Sequence, residues 1–155
     1  MSDYRKEYEK WLSSDALNQE EKAELAAIGD NENEVKSRFF APLEFGTAGL
    51  RGIMATGLRN MNIHVIRWAT QGFANVISAE GEEAKKKGIA ICMDCRLHSM
   101  DFARAAAEVC AANGIFSNFI GLSSSAFAGL LRTTRLITVI NNNFILFFII
   151  FLLYF

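Results

Sequence analysis

Residues 88–120 constrain the fold more than any other part of the chain. Gly88 to Asp94 is a short apolar run rich in β-branched residues, Ser99 can cap a helix to about Asn113, and Ile115 to Ile120 reads as a second strand. Phe102, Ala106 and Val109 recur at helical spacing and are expected to face inward, and Gly114 closes the helix. Parallel strands need a crossover of a dozen or more residues, so strand, helix and strand of these lengths fit a βαβ unit. A parallel sheet with helices packed on it is the economical architecture. Ligands in such sheets lie beyond the carboxyl ends of the strands, and Asp94 and Arg96 fall at that end of the first strand.

The amino-terminal third reads as helical. Tyr4, Tyr8, Trp11 and Leu12 recur at helical spacing, and Asn18 with Glu21 three residues on is a capping signal for a second helix ending at Gly29. Val35, Phe39 and Phe40 then lead to Pro42, the only proline. A long helix is predicted from about Asn62 to Ala79, with Val65, Ile66, Ala69, Phe73, Val76 and Ile77 on its apolar face and Gly81 at its end. Trp68 and Phe73 read as core or helix-packing residues within that pattern, and His64 as structural, having no base or metal partner in the sequence around it.

Between these helices lies Phe45-Gly46-Thr47-Ala48-Gly49-Leu50-Arg51-Gly52, with three glycines, a hydroxyl and one fixed cation in eight residues. Glycine lets backbone approach an oxygen-rich ligand closely, so amide N–H groups can converge on a phosphate while Arg51 supplies a planar charged fork. The stretch must be irregular or a short strand with turns. It matches neither the dinucleotide fingerprint nor the Walker pattern, so on composition a phosphate loop and an ordinary glycine-rich turn stand level.

The wider run breaks that tie. It continues through Ile53-Met54 to Arg59-Asn60-Met61-Asn62-Ile63 and Ala69-Thr70-Gln71-Gly72-Phe73-Ala74-Asn75. Together with Tyr8 to Leu12, Leu43-Glu44 and Cys92-Met93-Asp94-Cys95-Arg96, it resembles the amino-terminal domain of the α-D-phosphohexomutases, in the phosphoglucomutase/phosphomannomutase branch. The resemblance covers roughly residues 1 to 115. It implies an incomplete α/β/α domain with a mixed, largely parallel sheet preceded by an N-terminal helical hairpin. The corresponding division is a helical segment at 1–37, a partial domain I at 38–120 and a non-family apolar tail at 121–155.

The resemblance also implies phosphoryl exchange between the 1- and 6-hydroxyls of a hexose phosphate, through a phosphoserine and supported by magnesium, with a hexose bisphosphate as partner. Such chemistry is mostly positioning and charge neutralisation. By the family pattern, Gly46, Thr47, Gly49 and Arg51 belong to the active-site loop, and Arg96 to an Asp-x-Arg turn lining the same cleft. Alanine at position 48 replaces a serine that many members carry. The family's Ser-His-Asn-Pro loop has no counterpart, because neither His64 nor His98 follows a serine. Its magnesium loop of alternating aspartates has none either: Asp3, Asp15, Asp30, Asp94 and Asp101 are too far apart in sequence. The chain is accordingly expected to lack a catalytic nucleophile, to bind no magnesium and to be inactive by itself.

Charge and cysteine content narrow the remaining classes. A net charge of −1 with both signs interspersed offers no basic footprint for nucleic acid, and Lys85 to Lys87 read as a solvated helix end. Three cysteines without a secretory segment point to a reducing cytoplasm. Cys92 and Cys95 have CxxC spacing but no second pair to complete a metal site, and read as ordinary thiols near a strand end. Ser123 to Ser125 lack a base at a motif spacing and read as a linker.

The last segment differs from the rest. Phe144 to Phe155 is uncharged and apolar throughout, and a helix of that length spans about 18 Å, short of a hydrocarbon core of roughly 30 Å. Its Phe, Ile, Leu, Tyr and Asn composition suits translation out of frame or into non-coding sequence. A membrane anchor for an otherwise non-catalytic anion-binding module, or a buried strand or helix, are the alternatives left open. In any of these settings the segment is prone to aggregate.

Overall fold

In a computed structural model of the chain, the residues described are 3–46, 49–93, 97–121 and 145–147. They divide into two compact units, Met1–Val65 and Ile66–Phe151.

The first unit begins with three helices, α1 (Asp3–Leu12), α2 (Gln19–Ala27) and α3 (Glu32–Phe39). The expected capping box at α2 is complete: Asn18 Oδ1 accepts from the Glu21 amide at 2.9 Å and the Glu21 carboxylate accepts from the Asn18 amide at 2.8 Å. Helix α3 is an addition to the sequence reading. Asn31 caps it by accepting from the Glu34 amide, and Val35 and Phe39, four residues apart, are both buried. Tyr8, Leu17, Leu25, Val35 and Phe39 form the core, with Tyr8 and Trp11 meeting Phe39 edge-on at centroid distances of 5.6 and 5.8 Å. Edge-to-face packing of this kind adds to the burial of apolar area that stabilises the helices. The Tyr8 hydroxyl, sunk in this core, is satisfied by the Leu25 carbonyl at 3.0 Å.

Two short strands follow, β1 (Phe45–Gly46) and β2 (Gly49–Leu50), paired antiparallel in the register Phe45 with Leu50 and Gly46 with Gly49. The glycine-rich stretch is therefore a tight hairpin, as its composition allowed.

Helix α4 (Ile63–Ala79) starts at Asn62, whose Oδ1 accepts from the Val65 amide at 3.0 Å. Its buried side chains are Val65, Ile66, Thr70, Ala74 and Ile77. The predicted face is thus rotated: Val76 is 58% exposed and Trp68 59%, so neither is core. Thr70 takes an inward position because its hydroxyl donates to the Ile66 carbonyl at 2.8 Å, which makes a β-branched polar residue acceptable there.

In the second unit, α5 (Glu82–Lys87) leads to β3 (Ile89–Met93), α6 (Ser99–Ala112) and β4 (Ser117–Gly121). Strands β3 and β4 are parallel with Ile89 opposite Ser117 and Met93 opposite Gly121, and α6 packs on both, completing the expected βαβ unit. Ile89, Ala90 and Ile91 are consecutive and all buried, as a strand covered on both faces requires. Gly88 has φ +70, and a Cβ there would lie 2.6 Å from the Phe116 carbonyl oxygen, so only glycine fits. Helix α6 ends in a Schellman motif, with the Ile115 amide bonded to the Cys110 carbonyl and the Gly114 amide to the Ala111 carbonyl. Ser99 is the first residue of α6 and buried, whereas His98 holds the cap position with left-handed φ.

The sheet has a third strand, β5 (Ile145–Phe147), parallel to β3 with Ile89 opposite Ile145, giving the order β4-β3-β5. It comes from the apolar tail, the rest of which lies outside the described residues. No helix among the described residues is long and apolar enough to cross a membrane.

Candidate functional site

The glycine hairpin and the segment after it form a small frame built mainly from main-chain bonds. The Leu43 amide, just before the hairpin, donates to the Leu58 carbonyl at 3.1 Å, and the Met61 amide donates to the Ile53 carbonyl at 2.8 Å. Met54 and Met61 form an isolated bridge. Gly52 sits between the two sides: a Cβ there would meet Leu43 Cδ1 and the Met61 nitrogen, each at 3.2 Å. A larger residue would have to push the hairpin away from its support.

Polar side chains tie the 55–62 segment into a compact loop. The Asn62 amide group donates to the carbonyls of Ala55 at 3.0 Å and Gly57 at 2.8 Å, and the Asn60 amide group donates to Thr56 at 3.3 Å. Thr56, Asn60 and Asn62 are buried, and each buried polar atom finds a partner. Satisfying these groups is what permits a polar loop to be buried at all.

A charged cluster joins this loop to the helices. Glu24 on α2 pairs with Arg38 on α3 at 2.5 Å, and accepts from the Thr56 hydroxyl at 2.5 Å and the Thr56 amide at 3.2 Å. Arg38 also binds Glu34 at 2.9 Å and donates to the Thr56 carbonyl at 3.2 Å. Burial by itself would raise the Glu24 carboxyl, but the hydrogen bonds from Thr56 and Arg38 outweigh it and hold the group below its ordinary value. Burial would likewise lower the Arg38 guanidinium, and Glu24 and Glu34 reverse that, holding it above.

His64, at the start of α4, bonds through Nε2 to Glu21 at 2.9 Å and meets Trp11 edge-on. The acidic partner that the sequence around His64 does not show is thus supplied by Glu21 on α2.

The residues proposed for the site are placed unevenly. Gly46 and Gly49 face each other across the hairpin, and Arg51 follows it directly, exposed and with no carboxylate partner among the described residues. Arg5, Arg38 and Arg67 are each paired to a glutamate, while Arg59 and Arg104, like Arg51, have no carboxylate partner among the described residues. Thr47 lies outside the described residues, as do Asp94, Cys95 and Arg96. Strand β3 ends at Met93, immediately before them. Sequence reasoning missed Glu24, Arg38 and Thr56, which are brought together from positions far apart in the chain.

The family resemblance implies magnesium, for which the described residues offer no cluster of ligands. Among the described residues no three His, Cys, Asp or Glu side chains converge, and the aspartates there stand singly. Cys110, buried in α6, is the free thiol described, and burial pushes it up to about 11, too high for a nucleophile or ready metal ligand.

An α/β domain with a glycine hairpin followed by an exposed arginine is the class that fold and site define. Residues 42–136 match the family described as phosphoglucomutase/phosphomannomutase, alpha/beta/alpha domain I, and the chain belongs to that family. A phosphopentomutase from Pongo abelii is 41% identical over 113 residues, covering 68% of this chain and 18% of that protein. The Homo sapiens phosphopentomutase is 40% identical over the same shares, and a phosphomannomutase from Mycoplasma genitalium is 31% identical over 74% of this chain and 20% of its own length. The chain therefore spans about a fifth of the length of these relatives. No solved structure matches it. The family match runs to 136, beyond residue 120, the bound expected for the partial domain I.

Proposed function

We propose that this chain is the loop-bearing first part of a sugar phosphomutase, in which the glycine hairpin and Arg51 hold a phosphate group of the substrate. The observation that carries the reading is the exposed Arg51, with no carboxylate partner among the described residues, directly after a hairpin of paired glycines and inside the segment that matches the family. An arginine fork and convergent amides suit the doubly charged oxygens of a phosphate monoester. Relatives named as phosphopentomutases and phosphomannomutases share the phosphate and differ in the sugar, so the common substrate class is a sugar phosphate. Hexose phosphate with a bisphosphate activator remains the family expectation, and a pentose phosphate is its direct competitor.

These residues contribute binding and orientation, while the phosphoryl-transferring serine and the metal carboxylates are not among them. The full chain given glucose 1,6-bisphosphate, magnesium and glucose 1-phosphate or ribose 1-phosphate is expected to show no turnover. It is expected to bind the sugar phosphates, with the affinity lost in Arg51→Gln. Turnover above the Arg51→Gln background would contradict the inactive reading, and equal binding by both forms would contradict the phosphate role. No described residue favours the membrane-anchored alternative.

A further inference from the structure

The helices that precede the family-matched segment hold the glycine hairpin's support in place through one ion cluster. The match begins at residue 42, yet Glu24 and Arg38, on α2 and α3, make most of the side-chain contacts that fix residues 56–59. Glu24 takes both the hydroxyl and the amide of Thr56, and Arg38 takes the Thr56 carbonyl, so all three polar groups of that residue end on the helices. The Arg59 amide donates to the Arg38 carbonyl at 2.9 Å. Gly57 lies against the same residue: its φ is +142 and a Cβ would fall 3.0 Å from Arg38 Cβ.

From there the support is covalent and main-chain. Leu58 binds Leu43 ahead of the hairpin, and Met61 binds Ile53 behind it, so the two ends of the hairpin hang from the clamped loop. The Arg38 side chain is 14% exposed and that of Glu24 39%, a setting where charged hydrogen bonds outweigh those of open surface pairs.

We infer that Glu24 and Arg38 are positioning residues for the anion site: they touch no substrate, but they set where Arg51 and the hairpin glycines stand. This rests on the phosphate reading of the hairpin given above. It assigns the N-terminal helices a part in the site.

The test uses the full chain with Glu24→Gln, which keeps the side chain's shape and removes its charge, and Arg38→Lys, which keeps charge and removes the fork. Amide exchange is followed across residues 51–62 and, as a control, at Leu25 and Val35 in the helical core. Inorganic phosphate is titrated while the Gly46, Gly49 and Arg51 amide shifts are read. Exchange across 51–62 is expected to rise about tenfold in both variants with core protection retained, and phosphate affinity to fall by several-fold. Unchanged exchange, or an equal rise at Leu25 and Val35, would overturn the clamp. Raised loop exchange with unaltered phosphate affinity would overturn the positioning role. If the unmodified chain gives no phosphate-dependent shifts, the phosphate reading fails and the positioning role with it, while the exchange data still decide whether the clamp exists.

Discussion

The βαβ unit and the loop after the glycine hairpin order their backbone by different means. In the first, β3 is apolar on consecutive residues and α6 packs on β3 and β4, so the βαβ unit is held by burial that any sequence of suitable shape could supply. Around the hairpin, Leu50 and Met61 are buried, but the loop after it is positioned by named polar partners: Thr56 on Glu24 and Arg38, Asn62 on Ala55 and Gly57. Burial is non-directional and gives stability, whereas hydrogen bonds between particular atoms give position. The phosphate role proposed for Arg51 and the hairpin amides calls for the second kind.

That contrast breaks most visibly in the β3 core. Ile91→Ala is expected to cost about 3 kcal/mol by opening a cavity beside a fully buried strand. Denaturant unfolding measures the loss, and labelling of the buried Cys110 thiol should quicken in parallel; a cost below about 1 kcal/mol would mean the strand is less enclosed than described.

Arg38→Ala should cost less, about 2 kcal/mol, because it strands Glu24 and Glu34 but leaves no large void. The loss should be concentrated in residues 53–62 when followed by amide exchange. A uniform loss across α1 to α3 would place Arg38 with the core residues instead.

Acid sharpens the comparison. The Glu24 carboxyl lies below its ordinary value of 4.5 in the folded chain, so its contribution is complete above about pH 4.5 and fades as pH falls through the folded value. The stability difference between the unmodified chain and Glu24→Gln should therefore shrink on acidification from pH 6 to pH 3, as thermal melts at each pH would show. A difference that grows instead would reverse the sign assigned to this group.

The smallest effect is expected on the outer side of α4. Trp68→Ala should change stability by less than about 0.5 kcal/mol, since the ring is exposed. A cost of several times that would place Trp68 among the core or helix-packing residues, as its spacing suggests.

Much of the fold could be read from residue order because its signals are local. The α2 capping box, the glycines closing α4 and α6, and the apolar runs of β3 and β4 all declare themselves within a few residues. The face of α4 was misjudged because hydrophobicity ranked Val76 and Trp68 above Thr70 and Ala74, while the inward row Ile66, Thr70, Ala74, Ile77 follows helical geometry. Helix α3 was overlooked although Asn31, Val35 and Phe39 carry its cap and its buried stripe. At the site, glycine spacing pointed to the hairpin, but nothing near Glu24 in sequence indicates Thr56, which lies thirty-two positions away. Contacts of that kind follow from the tertiary fold and leave no periodic trace.

The most direct test of the account is phosphate binding by the hairpin. The full chain, labelled with nitrogen-15, is titrated with inorganic phosphate beside Arg51→Gln. The account predicts saturable shifts at Gly46, Gly49 and Arg51 that weaken by about tenfold or more in the variant, in proportion to the loss of a charged hydrogen-bonding fork. Identical titrations of the two forms, or shifts spread evenly over both units, would contradict it.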